Sequence, residues 1–92
     1  MTITVRYTAQ LRSAAGTPAE KLELPEGSAV ADAIRAIAQR HGDAMRNLVL
    51  LTDDTPHPSI LVFRNDEQVT EPADVALTDF DTLSLLSPIS GG

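Results

Sequence analysis

The sequence offers chemistry most directly in its last five residues, Pro88-Ile89-Ser90-Gly91-Gly92. Glycine lacks a Cβ, so Gly91 and Gly92 can enter a channel too narrow for any side chain. Pro88 pre-sets the direction in which the chain leaves the segment before it. Fully extended, these residues reach ~17 Å, enough to thread into another protein. A carboxylate at Gly92 is ionised at neutral pH and can attack the α-phosphorus of ATP. The resulting acyl-adenylate is a good electrophile for sulfur. In this chemistry Gly92 carries the reacting group and Gly91 gives it access to a partner's active site. The carboxylate is then a substrate, and the catalytic apparatus belongs to the partner. Two terminal glycines arise by chance in roughly one chain in two hundred. The ending is therefore suggestive, and a merely flexible tail spells the same letters.

Other residue types that could do chemistry are thinly spread. His41 and His57 are the two imidazoles, one at the end of a helical pattern and one between two prolines. Their plain readings are a helix-end cation and a loop residue. Asp53-Asp54 and the pair Asp79 and Asp81 could meet a cation, but neither has the alternating oxygen ligands of a calcium loop, and solvated acidic loops are the plainer reading. No glycine-rich run precedes a helix opening on Lys-Ser/Thr, so there is no phosphate loop. With no cysteine, thiolate zinc sites, iron–sulfur clusters, disulfides and thiol nucleophiles are excluded.

The elements that must position the C-terminal end can be read from hydrophobic period. Residues 2–8 alternate, with Ile3, Val5 and Tyr7 on one side and Thr4 and Arg6 on the other, which predicts a strand with one buried face. Residues 9–17 read as a connection containing Leu11, with a turn at Gly16-Thr17-Pro18. Residues 20–24 alternate again and are expected to pair with the first strand as a hairpin. Ser28 reads as a helix N-cap. Val30, Ile34, Ile37 and Ala38 then share one face of a helix running to His41, with Gly42 suited to a left-handed cap. Residues 43–51 could hold a second short helical turn. Residues 60–64 read as a short apolar strand, Asn65-Asp66 as a two-residue turn, and residues 67–70 as the return strand. Residues 82–87 form the last strand, with Leu83 and Leu85 on one face and Leu86 on the other. A hairpin, a helix lying across the sheet and a final strand make an α+β arrangement.

Composition bounds the partners. Ninety-two residues make one domain with a modest core. Lys and Arg total 7 against 13 Asp and Glu, a net charge of −6, and the aromatics are Tyr7, Phe63 and Phe80 alone. Nucleic-acid binding would want a basic stripe and stacking aromatics, so no nucleic-acid partner is expected. An acidic domain suits a partner with a basic docking face. The aliphatic runs at 48–51 and 60–62 are far too short to span a bilayer. The first residues show neither a basic start nor an apolar h-region, so the expectation is a cytoplasmic protein without a signal peptide.

Four segments, taken in order, resemble the ubiquitin-like sulfur carriers, a family that includes the small subunit of molybdopterin synthase and the thiamin and cysteine sulfur carriers. Tyr7-Thr8-Ala9-Gln10-Leu11-Arg12 with Gly16 is similar to the family's aromatic-x-Ala-x-Leu-Arg…Gly segment. Arg64-Asn65-Asp66-Glu67-Gln68-Val69 is similar to its Asn-containing hairpin. Leu77-Thr78-Asp79-Phe80-Asp81-Thr82-Leu83 lies where the family has Leu-x-Asp-Gly-Asp-x-Val, and Pro88-Ile89-Ser90-Gly91-Gly92 is close to its Pro-x-x-Gly-Gly ending. The departures are Phe80 in place of the glycine, Ser13 where many relatives carry an acid, and a longer segment over 42–59.

The resemblance implies a β-grasp domain over residues 1–87, a mixed sheet with one main helix packed across it, and a flexible Gly-Gly tail over residues 88–92. It implies a carrier rather than an enzyme, with no bound cofactor. ATP is used by an E1-like adenylating enzyme acting on Gly92, a sulfur donor makes the thiocarboxylate, and a sulfur-acceptor synthase consumes it. Gly91 would be needed for access to both partners' sites. The molybdopterin synthase large subunit is the first choice of acceptor, with cysteine and thiamin pathways beside it. The outward face of the sheet, with Phe63 and Leu86, is the expected docking surface. Two other readings stay open: a protein modifier joined to lysines, and an interaction domain with an inert tail.

Overall fold

In the computed structural model, which describes residues 1–87, the N-terminal alternation becomes β1 (Thr2–Tyr7), with Ile3, Val5 and Tyr7 buried and Arg6 exposed. The next element, α1 (Ala9–Ala15), replaces the expected connection. It is under two turns long and is pinned by one fully buried side chain, Leu11. Gly16 ends it at φ 76 and ψ 11, the left-handed cap conformation, with its N–H donated to the Arg12 carbonyl at 2.8 Å. The chain returns as β2 (Ala19–Glu23), antiparallel to β1 with Ile3 opposite Leu22. The expected pair forms, and the connection that joins it is largely helical.

The main helix is α2 (Val30–His41), which turns Val30, Ala33, Ile34, Ile37 and Ala38 into the core. Its cap differs from the expected one. Ala29 is the N-cap residue, and its N–H is accepted by the Asp32 carboxylate at 2.8 Å. The Ser28 hydroxyl instead donates to the Pro25 carbonyl at 2.7 Å, holding the turn that precedes the helix. Gly42, at φ 87 and ψ −161, is extended in a way that non-glycine residues avoid, rather than left-handed helical, and it leads directly into α3 (Asp43–Val49). The short helical turn read in this region is therefore a helix, with Met45 and Val49 buried.

Three strands complete the sheet: β3 (Leu61–Arg64), β4 (Glu67–Gln68) and β5 (Thr82–Leu86). Their order is β2-β1-β5-β3-β4. The central strand, β5, runs parallel to its neighbour β1, so a long crossover must join them, and α2 and α3 lie within it. One row of the sheet puts Tyr7, Leu85 and Val62 side by side, and the next sets Val5 beside Leu83. These side chains face α2, and each of the larger ones contributes about 1.5–3 kcal/mol by leaving water. The opposite face carries Thr4, Arg6, Ser84, Phe63 and Leu86. The fold is the β-grasp arrangement: a mixed five-stranded sheet with helices packed on one face.

Candidate functional site

β5 is the strand whose C-terminal end leads into the segment with the candidate chemistry. Gly91 and Gly92 lie outside the described residues, as does Pro88. What the structure gives is the base from which they follow. β5 sits at the middle of the sheet, paired with β1 on one side and β3 on the other, and Ser87 after it is buried. Among the described residues the buried Ser87 hydroxyl has no hydrogen-bond partner.

The beginning of β5 is fixed by Asp81. Its carboxylate accepts from Arg64 Nε at 2.8 Å, Asn65 Nδ2 at 3.1 Å, and the Thr78 amide and hydroxyl at 2.8 and 3.1 Å. Burial opposes its ionisation, but the Arg64 guanidinium and the Thr78 and Asn65 donors outweigh that and hold the carboxyl down to about 2. Asn65 completes the clamp. Its side-chain oxygen accepts the Thr82 N–H at 3.0 Å, and its own N–H donates to the Thr82 carbonyl at 2.7 Å. Asn65 can do this because it holds φ 54, a conformation asparagine tolerates. The segments 64–69 and 77–83, separated by a short connection, thus form one hydrogen-bonded unit. Asp81 is thus a buried, paired carboxylate rather than the solvated acid expected beside Asp79, and spacing does not signal its donors.

The segment 7–12 serves a different network. Tyr7 and Leu11 are core residues, while Arg12 is exposed on α1. The Tyr7 hydroxyl donates to Glu20, and His41 Nε2 meets the same carboxylate oxygen. Arg40 donates to the other oxygen at 3.1 Å and to the Lys21 carbonyl at 3.0 Å. The Tyr7 and His41 rings meet edge to face at 6.1 Å. Burial and the Glu20 carboxylate push the Tyr7 phenol far up. Burial works against ionised Glu20, but hydrogen bonds from Tyr7, His41 and Arg40 prevail and lower it. This network ties β1, β2 and α2 together.

His57 stands apart, its Nδ1 facing the Ser59 hydroxyl at 2.7 Å. Asp53 binds the Thr55 hydroxyl at 2.6 Å, and Asp54 pairs with Arg46. The two histidines are therefore not brought together. Among the described residues no three His, Cys, Asp or Glu side chains are grouped to hold a metal.

The outward sheet face carries a small apolar patch toward the C-terminal end of β5. Leu61 pairs with Leu86 across β3 and β5, and Phe63 lies beside Ser84. Leu61 is 44% exposed, while Phe63 and Leu86 are half-buried. Leu61 was missed in the reading of this surface, although its alternation with Phe63 on a strand would have placed it there. Phe80, at the opposite end of β5, is 81% exposed.

The model of the ThiS family matches residues 5–92, a span that includes Gly91 and Gly92. SAMP1 from Haloferax volcanii is 27% identical, with all of both chains covered and a TM-score of 0.89. A protein assigned as molybdopterin converting factor subunit 1 from Pyrococcus furiosus is 29% identical over 97% of this chain and 99% of its own, with a TM-score of 0.78. The BexX/CysO complex of Amycolatopsis orientalis contains a chain 27% identical over 98% of this chain and 99% of that one, with a TM-score of 0.71. Among curated proteins none matches. No helix among the described residues is long and apolar enough to cross a membrane.

Proposed function

We propose, from the premise that the chain belongs to the ThiS family of ubiquitin-like sulfur carriers, that its Gly92 carboxylate is activated and carries sulfur. The family consists of small carrier proteins rather than catalysts, so the working enzymes are partners. One observation carries the reading: the family match runs to residue 92 and takes in both glycines. An E1-like enzyme presents ATP to Gly92. A carboxylate oxygen bonds to the α-phosphorus, the bond to the bridging oxygen breaks, and pyrophosphate leaves. Hydrosulfide from a sulfur donor then attacks the acyl carbon, AMP leaves, and a proton is released to give the thiocarboxylate. Gly91 is the residue that lets this end enter narrow active sites.

The acceptor we favour is the large subunit of molybdopterin synthase, supported by the 29% identity to the Pyrococcus protein along nearly the whole of both chains. Its test is delivery. Thiocarboxylated protein mixed with that subunit and its pterin precursor is expected to lose its sulfur to the pterin, and retention of the sulfur excludes this acceptor. The similarity to SAMP1, a small archaeal modifier protein, supports a second use of the same activated carboxylate, as a modifier, for which we take lysines as the acceptors. Conjugates that vanish when Gly92 is deleted would be its signature.

A further inference from the structure

Phe80 has two properties that a residue serving the fold alone would not combine. Its backbone holds φ 68, in the left-handed region where a Cβ crowds the neighbouring carbonyl and where glycine sits without penalty. Its ring is 81% exposed, so burial does not offset that strain. The conformation is imposed by bonds that ignore the ring. The Phe80 N–H donates to the Thr2 carbonyl at 2.7 Å, the Asp81 N–H to the Thr78 carbonyl at 3.2 Å, and the Asp81 carboxylate takes the Thr78 amide at 2.8 Å. A glycine would satisfy every one of them.

The surroundings of the ring are acidic. Thr2, which receives the Phe80 amide, gives its own N–H to Asp79 at 2.8 Å and its hydroxyl to Glu23, and both acids are exposed. A second copy docked here would bring like charges together on a chain of net charge −6. The fitting occupant is an apolar socket edged by Lys or Arg on another protein. Gly91 and Gly92 have no side chains to identify their owner, so an activating enzyme must recognise the folded body. That enzyme is also the one partner needed whether the carboxylate ends on sulfur or on lysine.

We propose that Phe80 is an anchor that docks in an apolar, basic-edged socket on the enzyme that activates Gly92. The proposal rests on the carrier reading above. Phe80 and Ser87 lie at opposite ends of β5, roughly 20 Å apart along the strand, so docking at one leaves the other end free to enter an ATP site.

The test uses the full chain with the E1-like enzyme of the same organism. ATP–pyrophosphate exchange is followed against carrier concentration for wild type, Phe80→Ala, Phe80→Gly and Phe80→Tyr, and Tm is measured for each. The Ala and Gly variants are expected to raise KM by ~10-fold or more, with the loss in KM rather than kcat, while Tyr stays near wild type. Rising salt should raise the wild-type KM. Phe80→Gly should also raise Tm by roughly 3–6 °C, because strain is relieved and no buried contact is lost, whereas Phe80→Ala keeps the strain and leaves Tm nearly unchanged. Unchanged KM in the Ala and Gly variants, with wild type activated, would overturn the docking role and leave the carrier reading standing. A lower Tm for Phe80→Gly would overturn it too, by showing that the ring serves the fold. Absence of exchange with wild type would remove both.

Discussion

At Asp81 four donors converge on one buried carboxylate, and the consequence is a defined pH dependence. Its folded-state value, about 2, lies below the ordinary 3.8. A depressed carboxyl contributes stability that is fully present above the unfolded value and is lost as pH falls through the folded one. The window is therefore about pH 4 to pH 2, and the loss is about 2 kcal/mol. Urea unfolding at pH 7 and at pH 2.5 should show Asp81→Asn less stable than wild type by about 2–3 kcal/mol at the higher pH. At the lower pH the gap should narrow. An undiminished gap would mean that the ionised carboxylate is not what the clamp uses. The chemistry proposed for Gly92 is read from residue types alone, which need no fold to be recognised. The role of Asp81 is not, since Arg64, Asn65 and Thr78 reach it only once β3 and β5 are paired.

Each element was as readable as its period was long. The helix α2 spans twelve residues and turns six of them inward, so its apolar face stands out in the letters. The helix α1 has seven residues and a single buried one, Leu11, which no periodicity argument can detect. Its end is set instead by Gly16 at φ 76, where an added Cβ meets nothing within 4 Å. Gly16→Ala should therefore cost about 1 kcal/mol through backbone conformation alone, lowering Tm by roughly 4–8 °C without disturbing the core. The join between β1, β2 and α2 makes a separate prediction. Glu20→Ala leaves the buried Tyr7 hydroxyl without its acceptor and should destabilise by about 1–3 kcal/mol in chemical denaturation. Retained stability would show that Tyr7 finds another partner. The Ser28 cap failed as a reading for a local reason. Pro25 offers its carbonyl three residues back, and the hydroxyl donates there rather than accepting from the helix.

For the whole molecule, the parallel pairing of β1 and β5 is the feature that matters most. It places the last strand at the middle of the sheet, hydrogen-bonded to β1 on one side and β3 on the other. The Asp81 clamp fixes one end of that strand, Leu61 and Leu86 lie at the other, and Phe63 stands beside its middle on the outward face. A body so arranged suits the presentation of its own C-terminal end to successive enzymes, and the family match through residue 92 fits that use. The measurement that tests this most directly is the intact mass of the protein after incubation with its E1-like enzyme, Mg-ATP and sulfide, beside a chain lacking Gly92. The expected result is a gain corresponding to the exchange of one oxygen for one sulfur, confined to the full chain. An unchanged mass in the full chain, under conditions where the enzyme activates a known carrier, would contradict it.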